Sequence, residues 1–191
     1  MRLLIARTHP GTEYEAAAGM PHEGPGGHGD QSYSWGIEPG RFPGLLYRAQ
    51  WGKPVRGSLE WRAGRPILWD VDLAQAAPTE AVAVLASGFH LVSTRRPWRY
   101  YEPPGGELMF LAGLGSGRDF SVLARHNPDG GFPVVLPPER VLDWVMGGPP
   151  GLDGLAALPS LGPDLFRSWP VADPTLIEDG PERLRPLLEG P

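Results

Sequence analysis

The chain has 191 residues, a formal net charge of −5 and no cysteine. Its length suits one domain with a sizeable core, and its negative charge argues against the basic footprint that general nucleic-acid binding requires. Without cysteine it has no disulfides, no thiolate catalysis and no cysteine-ligated zinc, and no apolar run approaches the length of a membrane span. We therefore expect a soluble, cytoplasmic protein that does not insert into a membrane.

Glycine and proline are unusually frequent, at 27 and 24 residues, yet seven tryptophans accompany them. Burying large rings offsets the entropy lost on ordering the chain, so this composition predicts a folded domain with many loops.

The first long loop runs from residue 19 to residue 44 and contains His22, His28 and Asp30. Two imidazoles and a carboxylate can ligate a metal, but their spacing matches no recurring metal template. We assign no metal and no cofactor, and keep a metal-dependent enzyme at this loop as an alternative.

The middle of the chain has strand composition, interrupted by turn residues. Two short strands flank residues 62–65, which resemble a hairpin connection, and a second hairpin crosses residues 115–118. Pro78 suits the first turn of a helix, and Val82, Leu85 and Phe89 after it recur at helical spacing. Together these two signals predict a helix that begins near Pro78. Pro137-Pro138-Glu139 begins a further helix, with prolines in its first turn.

These elements predict an α+β fold, a mostly antiparallel β-sheet with two or three short helices and Gly/Pro-rich arms. Residues 1–146 are expected to form one globular domain. Residues 147–191 are expected to form a C-terminal arm, rich in glycine and proline, with a short terminal helix from Pro181 to Leu188.

One stretch combines arginines with aromatic rings. It follows a predicted strand, Phe89 to Thr94, and its candidate binding residues are Arg95, Arg96, Trp98, Arg99, Tyr100 and Tyr101. Arginine, tryptophan and tyrosine are enriched at the centres of protein interfaces, and guanidinium groups pair with carboxylates through two hydrogen bonds. The alternative is an edge strand whose rings pack inward while its arginines stay in water.

Two short segments suggest a nucleotide site. Tyr47-Arg48-Ala49 ends an early strand and Val92-Ser93-Thr94 lies on a later one, and together they resemble the arginine and Ser-Thr-Ser elements of toxin-type ADP-ribosyltransferases. The resemblance implies that Arg48 holds the phosphates of NAD and that Ser93 supports the nicotinamide pocket. The sequence departs from that family at Arg95, which replaces the third serine, and in residues 132–136, which contain no acid.

Our leading hypothesis is a non-catalytic bacterial protein-interaction protein, of toxin-neutralising or assembly type. It would bind an acidic protein partner through its Arg/Trp/Tyr stretch and would have no catalytic residue. The alternatives are the nucleotide-binding enzyme with Arg48 and Ser93, and the metal-dependent enzyme at the histidine loop.

Overall fold

The computed structural model describes residues 1–8, 34–41, 46–50, 53–56, 59–69, 80–93, 96–126, 130–147 and 160–187. In chain order the strands are β1 (Arg2–Arg7), β2 (Ser34–Ile37), β3 (Leu46–Gln50), β4 (Lys53–Arg56), β5 (Glu60–Trp61), β6 (Ile67–Trp69), β7 (Glu80–Ala86), β8 (Gly88–Ser93), β9 (Arg96–Glu102), β10 (Met109–Ser116), β11 (Asp119–Arg125), β12 (Phe132–Pro133), β13 (Val135–Leu136) and β14 (Arg167–Pro170). The helix α1 spans Val141–Gly147.

The strands form two sheets. The first sheet has the antiparallel order β14-β9-β8-β1-β2. The second follows the order β12-β11-β10-β7-β3-β4, with β13 pairing to β10 and with β5 and β6 pairing to β11. The fold is thus α+β with mostly antiparallel sheets, as the sequence predicts, and the described residues contain one α-helix where two or three helices were expected.

Three apolar clusters define the layers. The central cluster lies between the sheets and includes Ile5 and Phe89 from the first sheet and Val84 and Phe120 from the second. A second cluster packs α1 against the outer face of the second sheet. A third lies on the outer face of the first sheet, beneath residues of the C-terminal part of the chain. Burial of apolar area in all three clusters stabilises the domain.

The predicted helix after Pro78 is wrong, because this segment is the strand β7. Both of its faces are buried: Val82, Val84 and Ala86 belong to the central cluster, and alternate residues belong to the cluster under α1. A strand covered on both sides needs no polar alternation and shows a continuous apolar run. The spacing that looked helical therefore reflects burial of the whole strand.

The two predicted hairpins have different outcomes. The connection at residues 115–118 is confirmed, since β10 and β11 pair antiparallel from Gly113–Val122 to Ser116–Asp119 and Gly117 adopts a φ of +66°. The connection at residues 62–65 is wrong as a hairpin. Its flanking strands β5 and β6 both run parallel to β11, one after the other along the same edge. β5 and β6 therefore each pair with β11, which is distant in sequence, and not with each other.

The helix expected after Pro137 is confirmed as a 3-10 turn, Pro138–Arg140, that continues into α1. The expected terminal helix is shorter, a 3-10 helix over Pro181–Leu184. Within the part of the chain that the structure describes, no helix is long and apolar enough to cross a membrane.

Candidate functional site

The Arg/Trp/Tyr stretch forms the strand β9, which lies between β8 and β14 and is therefore not an edge strand. Trp98 and Tyr100 point to the outer face of the first sheet and are 6% and 1% exposed. Tyr101 points to the opposite face and stacks on Phe89, with ring centroids 5.2 Å apart. The three rings thus pack inside the protein, and Trp98 and Tyr100 are not presented to solvent.

The arginines of the stretch have different environments. Arg99 is half-buried and donates hydrogen bonds to the carbonyl oxygen and hydroxyl of Ser168, at 3.1 and 3.2 Å. Arg96 begins β9, opposite Ser93 of β8, and Arg95 lies outside the described residues. Arg99 therefore helps to hold β14 on the sheet, while the binding role of Arg95 and Arg96 stays a prediction.

The strand register places a further arginine, Arg2, near Arg96. Arg2 of β1 pairs with Val92, and Arg96 of β9 pairs with Ser93, so the two arginines lie on the strands that flank the end of β8. With neighbouring strands about 4.8 Å apart, their backbones are separated by roughly 10 Å. We call this end of the first sheet, defined by Arg2 of β1 and Arg96 of β9, the basic end.

Arg2 also contacts the outer face of the sheet. Its guanidinium carbon lies 5.4 Å from the centroid of the Trp98 ring, a cation–π distance. The indole of Trp98 donates to the carboxylate of Asp173, which also accepts hydrogen bonds from the backbone N–H and hydroxyl of Thr175. Desolvation raises the pKa of Asp173, but the hydrogen bonds from Thr175 and Trp98 and the charge of Arg2 outweigh it and lower the pKa.

The residues of the nucleotide alternative lie apart. Arg48 belongs to β3 in the second sheet, where its guanidinium pairs with Glu80 at 3.1 Å, whereas Ser93 ends β8 in the first sheet. The Ser93 hydroxyl is buried without a hydrogen-bond partner. A Cβ at the neighbouring Gly130 would lie 3.2 Å from the Cβ of Ser93, which leaves little room there. Arg48 and Ser93 therefore lie in different sheets, and their role in nucleotide binding stays a prediction.

The sequence analysis did not identify a buried polar cluster on the first sheet. His90 is fully buried, and its Nε2 donates to the carbonyl oxygen of Trp35 at 2.6 Å, which leaves Nδ1 as an acceptor without a partner. Burial is the main cause that lowers the pKa of His90 to about 4; the Trp35 hydrogen bond and Asp179 oppose the shift, and Arg183 adds to it. His90 is thus neutral at pH 7.

Arg183 and Asp179 complete this cluster. The Arg183 guanidinium donates to the carbonyl oxygen of Gly36 at 2.9 Å and to that of Ile177 at 2.8 Å. Asp179 accepts from the hydroxyl of Ser34 at 2.8 Å and from the backbone N–H of Trp35 at 2.7 Å. Both side chains belong to the predicted C-terminal arm, and no local pattern in that glycine- and proline-rich sequence indicates that they bind β2.

The histidine loop, with His22, His28 and Asp30, lies outside the described residues. Among the residues that are described, no group of three or more histidine or acidic side chains could hold a metal ion.

The sequence matches no family model and no curated protein. Two solved structures of bacterial proteins are similar to this chain. A protein from Bacteroides thetaiotaomicron has a TM-score of 0.75 at 9% identity, over 97% of this chain and 99% of that chain. A protein from Bordetella bronchiseptica has a TM-score of 0.62 at 13% identity, over 91% of this chain and 100% of that chain. At these identities the similarity establishes that this chain has the same fold as the two bacterial proteins.

Proposed function

We propose that the protein is a non-catalytic bacterial interaction protein, of toxin-neutralising or assembly type, that binds an acidic protein partner at the basic end of the first sheet. The observation that carries the proposal is the register, which puts Arg2 and Arg96 on the two strands flanking the end of β8. Arg95 directly precedes Arg96 in the sequence. The proposal thus combines two arginines on neighbouring strands, and a third beside them in the sequence, within a chain whose net charge is −5.

Arginine suits such a surface for physical reasons. Its planar guanidinium stays charged and can donate two parallel hydrogen bonds to one carboxylate, which fixes the orientation of an acidic partner as well as its affinity. Complementary charge also accelerates encounter and suppresses wrong partners. In this proposal the arginines contact the partner, while Trp98 and Tyr100 hold the strand that carries Arg96. The rings then act through packing.

A charge-reversal experiment tests the proposal. A fluorescently labelled polyglutamate peptide is expected to bind the wild-type protein at low ionic strength and to bind the Arg95→Glu/Arg96→Glu variant about tenfold more weakly, equivalent to about 1.4 kcal/mol. Affinity should fall with added salt, because salt screens charges that remain in water. Fluorescence anisotropy titrations at two salt concentrations measure both effects.

Arg118→Glu/Arg140→Glu is the matched control, since both arginines are exposed, lie on other elements and change the net charge equally. Equal weakening in the control variant would show that overall charge, not the basic end, governs binding.

Thermal shift with NAD distinguishes the nucleotide alternative, because a ligand at a hundred times its dissociation constant stabilises by about 2.7 kcal/mol. A shift with NAD that Arg48→Ala removes, without peptide binding, would favour that enzyme.

A further inference from the structure

Residues 171–187 form a segment that crosses the outer face of the first sheet, and we call it the strap. It leaves the end of β14 with Val171, whose N–H donates to the carbonyl oxygen of Trp98 at 3.0 Å. It reaches β2 at the opposite edge through Asp179 and then returns, where the N–H of Leu187 donates to the carbonyl oxygen of Pro170 at 2.9 Å. The strap therefore spans the sheet from one edge to the other and back.

The strap is not a strand of the sheet that it covers. Its regular structure consists of two 3-10 turns, Pro174–Leu176 and Pro181–Leu184, and of one isolated bridge between Val171 and Pro186. Hydrogen bonds of side chains attach it to the sheet at three places: Trp98 donates to Asp173, Trp169 donates to the carbonyl oxygen of Leu184, and Asp179 with Arg183 binds β2. Between these anchors Leu176 is 84% exposed. A segment that is held mainly by side-chain hydrogen bonds, with little backbone pairing, is the kind that opens separately from a domain.

The surface beneath the strap has the composition of a binding surface. The strap residue Val171 packs into a buried cluster with Leu4, Ala6, Trp98 and Tyr100 of the sheet. Arg2 lies at its margin, beside Trp98 and near Asp173. The strap itself carries four acids against two arginines: Asp173, Glu178, Asp179, Glu182, Arg183 and Arg185. An acidic, extended segment thus already lies on the Arg/Trp/Tyr face of the sheet.

We infer that the outer face of the first sheet is an interaction surface whose present occupant is the strap. Its external partner is an extended acidic segment that resembles the strap, with an aliphatic residue before an Asp-Pro turn. The partner's aspartate replaces Asp173 at Trp98 and Arg2, and its aliphatic side chain replaces Val171. The strap therefore regulates access by competition. The inference rests on the proposed function in sharing Arg2, but its test uses neither polyglutamate nor Arg95 and Arg96.

Hydrogen exchange in the full-length protein tests whether the strap opens separately. Asp173→Ala/Asp179→Ala removes the carboxylates that hold it to Trp98 and β2, so exchange of amides in residues 174–187 is expected to accelerate at least about tenfold, while β10 keeps the wild-type rate. Glu182→Ala is the matched control, because Glu182 is an exposed strap acid that pairs with Arg185 rather than with the sheet. Equal acceleration in β10, or none in the strap, would overturn the inference.

Capture of a labelled peptide with the sequence of residues 169–187 tests the surface itself. The opened variant is expected to bind this peptide at least about tenfold more tightly than the wild-type protein, and a peptide carrying D173A should bind less tightly. If the strap exchanges rapidly but the peptide does not bind, the face is not an interaction surface. If the double variant loses cooperative unfolding, Asp179→Asn replaces it, since it keeps the shape of the side chain. Peptide capture without polyglutamate binding would leave this inference intact and would refute the proposal that an acidic partner binds at the basic end.

Discussion

Replacing Tyr100 by alanine is expected to lower the free energy of unfolding by about 3 to 5 kcal/mol, the usual cost of truncating a fully buried aromatic side chain. The Tyr100 ring is 1% exposed and packs against His90 and Trp169, with ring centroids 5.0 and 5.2 Å away. Truncation leaves a cavity between the sheet and the strap. Urea denaturation followed by circular dichroism measures the change.

Two control substitutions separate packing from surface effects. Tyr100→Phe keeps the ring and is expected to cost about 1 kcal/mol, and Arg99→Ala, at a half-buried residue, is expected to cost about as little. A Tyr100→Ala protein with wild-type stability would contradict the packing described for β9. The result also decides how binding experiments are designed, because lost binding in a Trp98 or Tyr100 variant would report a damaged fold. Substitutions of arginines avoid that ambiguity.

Acidification is expected to destabilise the protein through His90. Its pKa in the folded state, about 4, lies below the ordinary value of 6.5 that it regains on unfolding. As the pH falls, the unfolded state therefore binds the extra proton before the folded state does. The contribution of neutral His90 to the free energy of unfolding is complete above about pH 7 and is lost as the pH falls from 6.5 to 4. The total loss is about 3 kcal/mol, of which about 2 kcal/mol is lost by pH 5.

The surroundings of His90 make this effect specific. Arg183 opposes a positive charge on the ring, Asp179 favours one, and Tyr100 packs beside it. Denaturant titrations between pH 7 and pH 5 measure the slope, which should disappear in His90→Gln and persist in His126→Gln, a variant of the exposed histidine directly after β11. An unchanged slope in His90→Gln would show that other groups cause the acid sensitivity.

Local sequence patterns predicted the elements that carry a tight turn, prolines at a helix start or a clear strand composition. The β10–β11 hairpin depends on Gly117 at positive φ, and α1 follows from the prolines that precede it, so both were predicted correctly. The strand β8 was also predicted, because Phe89 to Thr94 is rich in aliphatic and aromatic residues bounded by turn residues.

The remaining features depend on contacts that are distant in sequence. The helical spacing of Val82 and Leu85 was misleading because α1 covers the face of β7 that a solvated sheet would expose. The parallel pairing of β5 and β6 with β11 has no local signal. Trp98 and Tyr100, two of the predicted binding rings of β9, are buried beneath residues 171–187, whose anchors Asp179 and Arg183 bind β2 across more than 140 positions.

The anchoring of β2 by the strap has a consequence for biosynthesis. Ser34, Trp35 and Gly36 receive the side chains of Asp179 and Arg183, which are 144 to 147 positions later in the chain. While the chain emerges from the ribosome, β2 can pair with β1, but the side chains that anchor β2 are synthesised only much later. Contacts of such long range slow folding, because loop-closure entropy is lost before the contacts form. The outer face of the first sheet, with Trp98 and Tyr100, therefore remains uncovered until the strap has been synthesised.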